Sequence, residues 1–205
     1  MVRRSIHSPE QLRELVIQSA REIIVKEGLS RLSAREIARK IGYSPGTLYN
    51  LFDNLDELLL QVQARTLDAL DQRLSELQKY SPEADQLSLM AREYGRFCRE
   101  HPQLWNLITQ HDLPPASTIP PWYSERIERL LQRIEVALVP HFPPSQSNSE
   151  SLKRSARAVW AGLYGIASLS ASGKLSGYGD HFNETLVDDF INTYLAGLSA
   201  KLKGH

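Results

Sequence analysis

Between Ser33 and Phe52 the residue types and their spacing suit one kind of chemistry, the non-covalent reading of a nucleic-acid duplex. Ser33 precedes a short apolar stripe of Ile37, Ala38 and Ile41, Gly42 follows, and Ser44-Pro45 opens a second stripe of Leu48 and Leu51. Ala38 lets a second helix cross closely, Gly42 permits the positive φ of a tight turn, and Tyr43 is placed to close the gap between the helices. This is the pattern of a helix-turn-helix. A helical hairpin that merely packs is the plainer alternative; Ala, Gly, Leu and two capping serines falling in register favour DNA binding.

Two helices this short cannot hold a core alone, so neighbouring elements must pack on them. A first helix from Pro9 to Glu27 buries Leu12, Leu15, Val16, Ala20, Ile23 and Ile24, with Gly28 ending it in a left-handed cap. A long helix after Asn54 reads Leu58, Val62, Leu67, Leu70, Leu74 and Leu77 before Tyr80 and Ser81-Pro82 break it. Ser8-Pro9, Ser44-Pro45 and Ser81-Pro82 are start signals, and Gln11, Glu36 and Glu57 stand three residues after Ser8, Ser33 and Asn54 as in capping boxes. Eight of the eleven prolines lie between Pro102 and Pro144, so the middle of the chain is divided into shorter helices. Two long helices follow, near 150–172 and 181–202, joined by a turn at Gly173, Gly177 and Gly179. No stretch alternates strictly enough for a half-buried strand. The expected fold is all-α: a three-helix head over residues 1–55 and a larger helical body over 56–205.

The run Ser33 to Phe52, with Gly42, Ser44-Pro45-Gly46-Thr47-Leu48-Tyr49 and Phe52, then Asn54 to Leu59, resembles the tetracycline-repressor (TetR) family of bacterial transcription regulators. The resemblance spans about residues 8–60. It implies a homodimer in which each head places its third helix in the major groove of a palindromic operator, while the body binds a small molecule that relieves repression. Trp160-Ala-Gly-Leu-Tyr-Gly165 resembles the body type named for its Trp and His-Gly, with Tyr164 where His would stand. Family members commonly carry a Lys one residue into the fourth helix that touches phosphate. This chain has Leu55 there, so that contact is not carried over.

The recognition segment from Ser44 to Leu51 holds no Lys or Arg, which removes bidentate reading of guanine. It offers free amides at its start, the Ser44, Pro45 and Gly46 edge, the Thr47 hydroxyl and methyl, and Asn50 for adenine. Ser33, Arg35, Tyr43 and Tyr49 are the expected phosphate contacts. For Tyr49 a simple packing ring is the alternative. Arg3 and Arg4 suit an arm reaching phosphate or minor groove, or a disordered basic terminus.

Lys and Arg number 24 and Asp and Glu 24, a balance that hides an excess of three positive charges before residue 56 and three negative after it. Such asymmetry suits an anionic partner at one end, or simply a solvated surface. Lone Cys98 excludes an internal disulfide and fits a reducing compartment. Neither a signal-peptide core nor a membrane-length apolar run is present, so a cytoplasmic protein is expected. The six His show no i, i+4 metal spacing and no phosphate-cradling Gly loop follows a strand, so no enzyme, cofactor or metal is expected. A helical enzyme, or an adaptor whose head binds protein, is the rival reading. In the body, Tyr94, Phe97, Trp105, Ile108, His111 and Trp122 are the expected lining for an apolar or aromatic effector, an ordinary core of the same residues being the alternative. Val159, Trp160, Leu163, Phe190, Ile191, Tyr194 and Leu198 are the expected faces of a dimeric four-helix bundle.

Overall fold

Helical periodicity and Pro/Gly punctuation account for the architecture of the computed structural model, which describes residues 7–80, 86–114, 118–146, 149–174 and 182–203. In chain order the helices are α1 (Pro9–Glu27), α2 (Ala34–Ile41), α3 (Pro45–Tyr49), α4 (Leu55–Tyr80), α5 (Gln86–Glu100), α6 (Pro102–Gln110), α7 (Pro121–Leu138), α8 (Glu150–Ala171) and α9 (Phe182–Lys203). No strand occurs among the described residues. Arg3, Arg4, Ser81-Pro82, Gly177 and Gly179 lie outside the described residues.

The chain divides into two units, Met1–Thr66 with Gln103–Thr118, and Leu67–Pro102 with Ile119–His205. The division falls inside α4 rather than at residue 55, and the segment carrying most of α6 joins the first unit.

In the first unit the α1 stripe of Val16, Ile17, Ala20, Ile23 and Ile24 meets Ile37 and Ala38 of α2, Leu48 and Phe52, Leu58 and Val62 of α4, and Leu104 and Leu107 of α6. Leu15 is only half-buried, while Ile17 and Ser19 are buried. The Ser8 capping box forms in full: the Gln11 N–H donates to Ser8 Oγ at 3.2 Å, and the Ser8 N–H to Gln11 Oε1 at 2.9 Å. The other two are half-formed. Ser33 and Asn54 accept from the Glu36 and Glu57 amides at 3.2 and 2.9 Å, but the Glu36 carboxylate turns to Arg39 and that of Glu57 to the Asp53 N–H. Gly28 has φ 85° and ψ 164°, so α1 exits into extended backbone instead of a left-handed turn. Gly42, at φ 76° and ψ 28°, is the left-handed cap.

In the second unit α7 packs on α8, and α5 packs on both α8 and α9. Asp68 and Asp71 on α4 face Arg126, Arg129 and Arg133 on α7, with N–O distances from 2.5 to 3.8 Å. Of the expected dimer faces, Val159, Leu163, Ile191 and Leu198 are buried among the protomer's own helices, between 0 and 8% exposed. Trp160, Phe190 and Tyr194 are half-buried. Gly162 shows why α8 and α9 close together, since a Cβ there would lie 2.2 Å from Phe190 Cζ.

Two glycine substitutions separate these effects. Gly42→Ala meets no atom within 4 Å but must adopt positive φ, and should cost about 1 kcal/mol in urea unfolding. Gly162→Ala should cost about 1–3 kcal/mol by overpacking, and the loss should shrink in a Phe190→Leu background.

Candidate nucleic-acid interface and body cavity

Helix α3 spans five residues, too few to persist unaided. Pro45 presets its first turn, and Leu48, 4% exposed, together with Phe52, also 4%, anchors it in the core. The Ser44 hydroxyl does not cap an amide, as its position had suggested; it lies 3.1 Å from Thr47 Oγ1. Arg13 of α1 holds the far end. It donates to the Leu51 carbonyl, lies 2.5 Å from Glu57 Oε1, and sets its guanidinium 4.2 Å from the centre of the Phe52 ring. Arg13 and Glu57 are positioning residues that the motif did not reveal, because the contact joins elements 44 residues apart.

What remains outside is the expected duplex-facing set. Ser33, Arg35, Ser44, Pro45, Gly46 and Asn50 are exposed and Thr47 is half-buried. Tyr49 is 62% exposed, so it is not a packing ring. Tyr43 is half-buried, with its hydroxyl 2.8 Å from His7 Nδ1. Gly46 has no packing duty, since a Cβ there would meet only Ser44 Oγ at 3.8 Å. Leu55, 38% exposed, lines a shallow apolar notch with Tyr49 and Asn54.

In the second unit, α5, α8 and α9 enclose a cavity of about 380 Å³ lined by Tyr94, Gly95, Cys98, Arg99, Pro102, Leu163, Ile166, Ala167, Ser170, Ala171 and Val187. Of the six expected effector residues, only Tyr94 lines it. Phe97 is core, its ring 4.7 Å from that of His101 and 5.2 Å from the Arg73 guanidinium. Trp122 lies beneath the Arg126 guanidinium at 5.8 Å. Trp105, Ile108 and His111 belong to the first unit, where Trp105 is wholly buried. His111 is held there on both ring nitrogens, at 2.9 Å from Gln63 Nε2 and 2.9 Å from Asp56 Oδ1. Apolar spacing identified these as inward-facing residues, but not which of two interiors each would enter.

Burial pushes the Cys98 thiol well above its ordinary range and raises the Tyr94 phenol, which the nearby Cys98 raises further. Both are neutral polar groups in the wall. Among the described residues no group of His, Cys, Asp and Glu is placed to hold a metal ion, and no helix is long and apolar enough to cross a membrane.

Residues 16–62 match the profile of the bacterial regulatory proteins of the tetR family, and residues 87–194 that of the tetracyclin repressor-like C-terminal domain. The chain belongs to the TetR family of transcriptional regulators. It is 22% identical over 199 residues to an HTH-type transcriptional regulator of Mycobacterium tuberculosis, covering 97% of this chain and 87% of that one. Among solved structures, a Rhodococcus sp. RHA1 protein of unknown function superposes with a TM-score of 0.70 at 22% identity, covering 96% of this chain and 99% of that one. FadR of Thermus thermophilus, a TetR-family repressor solved with lauroyl-CoA, gives 0.67 at 20% identity, covering 89% and 93%. The two superpositions establish the shared fold.

Arg13→Leu should lower stability by about 1–2 kcal/mol through loss of the carbonyl bond and the ring contact, measured by thermal melting. Cys98 should resist alkylation at mildly alkaline pH in the native protein and react at once in denaturant, because its raised pKa leaves little thiolate.

Proposed function

We propose that the protein is a homodimeric repressor that binds a palindromic operator through α3 and releases it when a small molecule occupies the body cavity. The observation that carries this reading is the exposure of Tyr49, 62%, on a helix whose other face is anchored by Leu48 at 4%. A large aromatic left in water beside exposed Ser44, Pro45, Gly46 and Asn50 suits a partner surface better than a core. Ser33, Arg35, Tyr43 and Tyr49 contact phosphate, while Thr47 and Asn50 face base edges. The other half of the dimer meets α8 and α9 through their less buried residues, among them Trp160, Phe190, Tyr194 and Leu169, the last 44% exposed.

The ligand-bound FadR neighbour supports a body that takes small molecules. Release follows from differential affinity: an effector that prefers the operator-incompetent state weakens DNA binding by its own coupling factor. A dimer reads half-sites about one helical turn, roughly 34 Å, apart. The cytoplasm is the compartment this function requires.

Selection of bound DNA from a random pool should return a symmetric sequence; an adaptor whose head binds protein would return none. On that sequence Tyr49→Ala and Thr47→Ala should each weaken gel shifts by about tenfold, within the 1–3 kcal/mol of a lost contact, with the dimer intact by size-exclusion. Gly46→Ala is the sharper test, since the new methyl fits the fold but obstructs close approach of a duplex. Unchanged shifts for all three would refute docking through α3.

A further inference from the structure

We infer that the notch between α3 and α4 reads a thymine, taking its C5-methyl group between Tyr49 and Leu55. This rests on the proposed docking of α3 in a major groove and adds a base that the operator must carry. The notch has a volume of about 40 Å³. Its floor is Leu48, Phe52 and Leu58, each buried, and Ala34 of α2 adds to it. The exposed side chains of Tyr49 and Leu55 are its walls.

The local fold explains why the notch stays open. Helix α3 ends at Tyr49 and α4 begins at Leu55, so these two residues stand at the ends of a short link that Phe52 anchors in the core. Asn54 fixes the entry to α4, its side-chain oxygen accepting from the Glu57 N–H at 2.9 Å. With Leu48 and Phe52 turned inward, Tyr49 and Leu55 are left in water around one depression. Apolar surface held in water is unfavourable until a partner covers it.

Size and charge select the occupant. A water-sized group takes roughly 30 Å³, so the notch admits one methyl and excludes a whole base. Among the described residues no carboxylate, ammonium or guanidinium lines it, and exposed Asp53 stands next to Asn54 at its edge in sequence. A phosphate entering the notch would lose water with no cation to compensate it. Arg35, exposed beside Ala34, leaves the phosphate contact of the proposed docking outside. Of the four standard bases, thymine alone projects an apolar group into the major groove, the C5-methyl beside its O4 acceptor. A methyl contact also gives a recognition segment without Lys or Arg a means of telling base pairs apart.

Fluorescence anisotropy at fixed salt tests this with the full-length protein and the symmetric duplex recovered by selection. Each thymine is replaced in turn by uracil, which removes only the methyl. At one position per half-site, affinity should fall about fourfold for one half-site and about fifteenfold for both, the worth of one and two buried methyl groups. At that position 5-methylcytosine should bind about fourfold tighter than cytosine, for the same reason. Leu55→Ala should abolish the difference between thymine and uracil. Tyr49→Phe keeps the ring wall and should preserve that difference, even where the lost hydroxyl lowers overall affinity. Leu55→Lys, a change at an exposed position, should also abolish it and keeps the test informative if Leu55→Ala impairs folding. An operator with no fixed thymine in its half-sites, or uracil tolerated at every position, would overturn the inference. So would a thymine preference that survives both Leu55 variants, which would assign the methyl to Thr47 or Pro45 instead. Failure to select any DNA sinks the docking of α3 and this reading with it, whereas an operator bound through α3 without a Leu55-dependent methyl effect sinks this reading alone.

Discussion

A five-residue helix cannot repay its own nucleation, and this constraint organises the head. Leu48 and Phe52 hold α3 in a core that α1, α2, α4 and α6 build together, and Arg13 ties its exit to α4 through Glu57. Tyr49 can stay in solvent because those two buried side chains carry the stabilisation. The exposed surface of α3 is thus what remains once its inner face is committed.

Charge is arranged by pairing. Of the basic residues in the first quarter of the chain, Arg13, Arg39 and Lys40 are matched with Glu57, Glu36 and Glu22. Glu22 and Glu36 are already counted in the early positive excess, so of these pairs only Glu57, from beyond residue 55, reduces it. In the second unit the α4–α7 ladder uses the same device, fastening two helices over an apolar interior.

The helix boundaries and the two-helix motif were legible because they depend on local terms: caps, proline, glycine and a 3.6-residue period. Ser8 with Gln11 and Gly42 with Tyr43 act within a few residues, and both behave as read. Two local readings differ, since Gly28 ends α1 in extended backbone and the Ser44 hydroxyl meets Thr47 rather than an amide; the other differences are long-range. His111 has the chemistry of a ligand handle, but in the folded chain it binds Gln63 and Asp56, 48 and 55 residues away. Val159, Leu163, Ile191 and Leu198 are greasy enough for a subunit interface, yet the protomer buries them itself. Apolarity signals burial without naming the partner.

By itself the sequence determined an all-α chain and a helix-turn-helix in register, since both follow from residue types at short fixed spacing, and its resemblance to a regulator family added the rest. Tertiary structure alone decided that α6 completes the core of the first unit and that the cavity lies among α5, α8 and α9. Those facts depend on which helix faces which, a matter of packing between residues far apart in the chain.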